Sequence, residues 1–136
     1  MGDLTESFSR FEFACKCGCG LDTIDIRVVE RLQVVRDIGR QAIKINSGCR
    51  CLKHNKNEGG KPESLHLPQE DGFTKAIDWC FYPNIDGDTD GLLEKMCIRL
   101  LDNWSGGFHF YPARMFKGVY QSAFCHCDIG PRRRWR

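Results

Sequence analysis

The 136-residue sequence has no run approaching the roughly 18 apolar residues of a membrane-spanning helix, and its acidic N-terminus lacks the apolar stretch of an export signal. Neither a membrane span nor a signal peptide is therefore expected. Internal repeats and low-complexity segments are also missing, which excludes solenoid and disordered architectures. Histidine is scarce, with only His54, His66, His109 and His126, so an imidazole-based site has few places to form. The formal net charge is only +2. Basic residues concentrate in the final Pro-Arg-Arg-Arg-Trp-Arg, and no basic face interleaved with aromatics occurs elsewhere. That tail reads as a solvated terminus, and no nucleic-acid partner is expected.

What is present is an ordinary globular balance, 41% hydrophobic and 28% charged, in a length that suits one compact domain. Cysteine is abundant and odd in number: Cys15, Cys17, Cys19, Cys49, Cys51, Cys80, Cys97, Cys125 and Cys127. Most fall in C-x-C pairs rather than the C-x-x-C of structural zinc sites. Without an export signal, buried or free thiols are the expectation. A structural zinc cluster of Cys15, Cys17, Cys19, Cys49 and Cys51, or disulfides, are the alternatives.

Residues 1–20 read as an irregular, cysteine-rich opening segment that Phe8, Phe11 and Phe13 can anchor to the body. Asp22 and Thr23 are N-cap candidates, and Asp25 adds negative charge to the first turn. Ile24, Val28, Leu32 and Val35 recur at helical spacing and predict a helix over 23–38, stopped by Gly39. Residues 42–46 alternate as a short strand, 47–74 read as loop with one helical turn, and 75–81 as a second strand. The NIDGDTDG run resembles the start of a calcium loop, but Cys97 stands where the bidentate glutamate is needed, so a helix-capping turn is the better reading. A helix follows over about 89–103, with Leu93, Met96, Cys97, Leu100 and Leu101 facing the core. Segments 107–111 and 123–129 are further strands, expected to be antiparallel neighbours. The expected class is α+β: a small, mainly antiparallel sheet with two principal helices in a single domain.

Catalytic zinc takes three nitrogen or oxygen ligands and keeps one position open. His66 in the polar loop, Asp78 in the next strand and His126 in the last strand form a reasonable set. Asp128, two residues after His126, shares its face. From spacing alone, surface and core histidines remain the competing reading.

The stretch INSGCRCLKHNKNEGGKPESLH, followed by KAID and FCHCDIGPRRRW, resembles the zinc D-Ala-D-Ala carboxypeptidase and L-alanyl-D-glutamate endopeptidase family, in a branch found in phage lysins and tail-associated proteins. The matching positions are Ser47, Gly48, Arg50, Asn55, Gly59, Gly60, Ser64, His66, Ala76, Asp78, His126 and Asp128. FEFACKCGCG and GGFHFYP extend the likeness to almost the whole chain. The resemblance implies zinc held by His66, Asp78 and His126 in a peptidase-like domain over 21–136. It also implies substrate contacts from Arg50, Ser47 and Ser64, the serines having turn or capping roles as the alternative; Arg50 counts with the catalytic residues, and His109 is a further substrate-binding candidate. Three positions depart from the pattern. Asp78 follows His66 by twelve residues, through an inserted LPQEDGFTK loop that would add Glu70 and Asp71 beside the site. Cys49 replaces an aromatic. Ala123 stands where many relatives carry an acid, which makes Asp128 the leading candidate base, or else an orienter of a ligand, with His109 and Glu70 behind it.

The implied activity is hydrolysis of D-amino-acid-containing peptidoglycan stem peptides by a monomer acting on the bacterial wall, of phage or prophage origin. A wall-binding or tail-associated protein that retains the fold without turnover is the alternative, and a cysteine-rich zinc interaction module is a third.

Overall fold

A computed structural model describes residues 2–82, 92–131 and 133–134. Helix α1 (Ile26–Gly39) begins at Ile26 rather than residue 23, because Asp25 is its N-cap. The Asp25 carboxylate accepts from the Arg27 amide at 2.9 Å, from Arg27 Nη2 at 2.7 Å and from Lys75 Nζ at 2.6 Å. Ile24 stays outside the helix and bridges Thr74 in parallel. The left-handed C-cap is Arg40, at φ +52°, one residue beyond the expected stop.

The hydrogen bonds from Arg27 hold the Asp25 carboxyl well below the usual carboxylate range; burial opposes them and Lys75 reinforces them. A carboxylate depressed on folding stabilises the fold above its unfolded pKa of about 4 and loses that contribution as pH falls below it. Asp25→Asn should cost about 2–4 kcal/mol at pH 7, since it leaves the half-buried Lys75 without its buried partner. Denaturant unfolding should show the gap to wild type closing below pH 4. A gap that does not change with pH would assign the loss to capping alone.

The main sheet runs, edge to edge, β1 (Ala42–Ser47), β2 (Ala76–Tyr82), β6 (Phe124–Asp128), β3 (Gly107–Tyr111) and β7 (Arg133–Arg134). All pairings are antiparallel except β3 with β7, so part of the basic tail is an edge strand rather than wholly solvated. The α+β class and the β3–β6 neighbourhood agree with the sequence reading. Alternation at period two gives the sheet two different faces. Ile43, Ile45, Ile77, Trp79, Phe81, Phe108, Cys125 and Cys127 join one apolar core with Val28, Val29, Leu32 and Val35 of α1 and with Cys97 and Leu101 of α3 (Leu92–Leu101). The opposite face carries Asp78, His109, His126 and Asp128, set side by side by the registers Asp78↔His126 and His109↔His126.

Phe8 and Phe13 are buried in the same core, whereas Phe11 is 77% exposed and anchors nothing. Cys97 and Cys125 form a disulfide between α3 and β6, which corrects the free-thiol expectation for these two. The helix packs on the core face, over the position where Cys125 points inward. The other seven cysteines form no disulfide. Helix α2 (Leu52–Asn57) is the helical turn expected within 47–74. A hairpin, β4 (Arg114–Phe116) and β5 (Val119–Gln121), was not foreseen; its two-residue turn has positive φ at both Lys117 and Gly118, as a type I′ turn requires. The expected NIDGDTDG turn lies outside the described residues, as do the side chains of Leu93, Met96 and Leu100. Among the described residues, no helix is long and apolar enough to cross a membrane.

Candidate metal centre and its cleft

Three elements deliver the cluster. The loop before β2 supplies His66, β2 supplies Asp78 and β6 supplies His126, and one ligand atom from each lies within 4.8 Å of the others. The His66 backbone is fixed from several sides: its carbonyl accepts from the Arg50 amide at 2.9 Å and Thr74 Oγ1 at 3.1 Å, and its amide donates to Ser64 Oγ at 3.2 Å. Its Nδ1 lies 2.8 Å from the Gly48 carbonyl oxygen. A carbonyl only accepts, so Nδ1 carries the proton and the Nε2 lone pair is left to face the cluster. That Nε2 is buried and makes no hydrogen bond, although Asp78 Oδ1 is 3.3 Å away. A buried ring nitrogen with an unused lone pair, beside a carboxylate and a second imidazole, is what a zinc site needs. The donor set fits the metal.

His126 stands between two carboxylates. Its Nδ1 donates to Asp78 Oδ1 and its Nε2 to Asp128 Oδ2, both at 2.9 Å. Burial alone would push this imidazole down, but Asp128 and Asp78 outweigh it and lift the pKa to about 9. The same contacts hold both carboxyls below their ordinary range against the opposing effect of burial, with His66 and His126 acting on Asp78 and His126 on Asp128. Asp128 is wholly buried, and its Oδ1 accepts from the amides of Gly107 and Gly130 at 3.0 Å each.

Arg50 lies over the other oxygen of Asp78. Its Nη2 donates to Asp78 Oδ2 at 3.2 Å, its Nε to Ser47 Oγ at 3.0 Å and its Nη1 to Asn55 Oδ1 at 3.4 Å. Ser47 and Ser64 thus have definite local partners, an arginine and a backbone amide. The cluster opens into a cleft of about 900 Å³, lined also by Ser47, Arg50, Ser64, Tyr111, Arg114 and Phe124. His109 is buried beside His126, its ring 4.3 Å from that of Tyr111, and does not line the cleft. Glu70 and Asp71 do not line it either. Asp71 pairs with Lys75, which leads the inserted loop toward the start of α1 instead of over the site. Ala123 is buried.

The profile of the peptidase M15 family matches residues 6–94, about two thirds of the sequence. This chain belongs to the peptidase M15 family. The matched span includes His66, Asp78 and Arg50, while His126 and Asp128 join them through strand pairing beyond it. No curated protein and no solved structure matches the chain. M15 peptidases are zinc-dependent, in accord with the donor set of this member.

Sequence reasoning missed three supports of the M15 site. Asn55 of α2, 3% exposed, ties Arg50 to the Lys61 carbonyl, which its Nδ2 reaches at 2.9 Å; a buried asparagine in a short polar helix has no signal beyond its place in the family pattern. Gly48 acts through its carbonyl, which no side chain announces. Thr74 is fully buried at the end of a loop, where its backbone pairs with Thr23 and Asp25 and its hydroxyl supports His66, contacts that its loop position does not announce.

Proposed function

We propose that this M15 peptidase hydrolyses amide bonds in D-amino-acid-containing peptidoglycan stem peptides, with zinc held by His66, Asp78 and His126. The observation that carries the reading is the buried, unsatisfied His66 Nε2 within a His–Asp–His cluster that opens to a peptide-sized cleft. Zinc there would supply a Lewis acid that polarises a carbonyl and makes water a nucleophile near neutral pH. The chain's own residues set the stage. Gly48 holds His66 in the tautomer that presents Nε2. Asp128 keeps a proton on His126 Nε2 and so directs Nδ1 toward Asp78. Arg50 has donors beyond the three bonds described, because a guanidinium carries five N–H groups, and these can grip a substrate carbonyl or carboxylate. The family pattern supports a phage-type route to the wall, with a monomer as the working form.

Asp128 is better suited to orienting His126 than to acting as general base, since both its oxygens are engaged and its carboxylate lies buried in the cleft wall. Asp128→Asn should therefore weaken zinc binding about 10–100-fold, the usual cost of losing such a support. A fall in kcat with zinc affinity unchanged would restore it as the base.

The deciding experiment measures zinc content and product release from purified peptidoglycan before and after chelation. Cleavage that vanishes on chelation and returns with added zinc is the expected result. Zinc retention with no cleavage would identify a wall-binding or tail-associated protein that keeps the fold; the buried Ala123 in place of an acid is the feature that favours it.

A further inference from the structure

We infer that Cys15, Cys17, Cys19 and Cys51 form a second, structural zinc site, separate from the cleft. The four sulfur atoms lie within 4.8 Å of one another. The sulfurs of Cys15 and Cys17 are 3.4 Å apart, those of Cys17 and Cys51 3.7 Å, and those of Cys15 and Cys51 3.9 Å. Zinc–thiolate bonds of about 2.3 Å in a tetrahedron place sulfurs roughly 3.8 Å apart, so these spacings are those of a ligand cage. Disulfide sulfurs would lie at about 2.05 Å. Pairing would also bring the sulfurs together two by two, rather than all four at once.

The local chain is shaped to this end. In an extended C-x-C-x-C segment the outer cysteines would be too far apart to share one ion. Gly18 and Gly20 take φ +85° and +89°, a region open to glycine, and curl the segment so that all three thiols converge. The Gly18 amide donates to the Cys15 carbonyl at 3.2 Å, and the Cys15 amide to the Leu21 carbonyl at 2.7 Å, closing the loop. The fourth thiol comes from a segment 36 positions after Cys15. Amides also surround the sulfurs: Cys51 N–H points to Cys15 Sγ at 3.5 Å and His54 N–H to Cys51 Sγ at 3.4 Å. Such donors support ligating sulfur from behind. Cys49, which sequence reasoning grouped with these four, is buried in the hydrophobic core and takes no part.

On binding, each thiol yields its proton to solvent as a sulfur–zinc bond forms, leaving a dianionic site with four protein ligands and no open position. Its role is structural. It staples the opening segment to residues 49–51, next to Arg50, where the Cys49 amide already donates to the Phe13 carbonyl at 2.8 Å. The soft, all-sulfur set selects zinc over hard cations.

Zinc K-edge absorption of the wild-type chain, purified under reductant, tests this directly. The expected spectrum contains a sulfur shell near 2.3 Å beside the nitrogen and oxygen shell, with about two zinc ions per chain by elemental analysis. Asp78→Asn should keep one zinc in a purely sulfur environment. Cys19→Ser should keep the cleft zinc and lose the sulfur shell. A wild-type spectrum without sulfur, or an intact mass showing the hydrogens lost to disulfide formation among these four residues, would overturn the inference. The wild-type spectrum decides the matter even if Cys19→Ser does not fold.

Discussion

Asp78→Asn is expected to empty the cleft of zinc and to lower peptide hydrolysis by at least about 10³-fold, a loss of about 4 kcal/mol in transition-state stabilisation. The argument rests on where the two oxygens of this carboxylate point. Oδ1 faces both imidazoles, at 3.3 Å from His66 Nε2 and 2.9 Å from His126 Nδ1, and Oδ2 faces Arg50 at 3.2 Å. Asparagine keeps the volume and the strand pairing but removes the charge that holds a dication between two neutral imidazoles. Circular dichroism should show the fold intact while elemental analysis and a cleavage assay show the loss. Activity within tenfold of wild type would remove Asp78 from the ligand set.

Arg50→Lys should lower kcat/KM by about 10²-fold, roughly 3 kcal/mol, while the cleft keeps its zinc. A lysine retains the charge but has neither the plane nor the fork that reaches Ser47, Asn55 and Asp78 together. The side chain is half-buried, so water does not readily replace the missing donors. Steady-state kinetics on a synthetic stem peptide, paired with zinc analysis, separates the possible losses. A rise in KM with zinc retained identifies Arg50 as a substrate-binding residue. Loss of zinc instead would mean that its contact with Asp78 is its main task.

Much of this arrangement could be read from residue order, and the misses have identifiable causes. Strand 107–111 and the core-facing Val28, Leu32 and Val35 follow from side-chain period alone. The start of α1 does not, because Asp22, Thr23 and Asp25 are all competent caps. Lys75, fifty residues away in sequence, makes Asp25 the one that is used. The β4–β5 hairpin went unseen because its strands are three residues each and largely exposed, with Lys-Gly at the turn instead of the more familiar Asn-Gly. The His66–Asp78–His126 set was visible through the family pattern and the shared parity of His126 and Asp128. The inserted loop was misjudged: Glu70 and Asp71 sit close to His66 in sequence, but the Asp71–Lys75–Asp25 chain of ion pairs leads them elsewhere. Which cysteines converge depends on a turn and a distant segment that no spacing rule links.

Strand β6 reads Phe-Cys-His-Cys-Asp and serves two masters at alternate positions: Cys125 and Cys127 belong to the core, and His126 and Asp128 to the cleft. Adding or deleting one residue there would exchange the two faces wholesale, burying an imidazole among Trp79 and Phe108 and turning the disulfide sulfur toward solvent. The segment between His66 and β2 is under no such constraint, because its extra length bulges away from the cleft. Loop length between His66 and Asp78, two of the proposed metal ligands, is therefore open to change where the chain bulges outward, whereas the short strand that bears the proposed third, His126, has to keep its residue count.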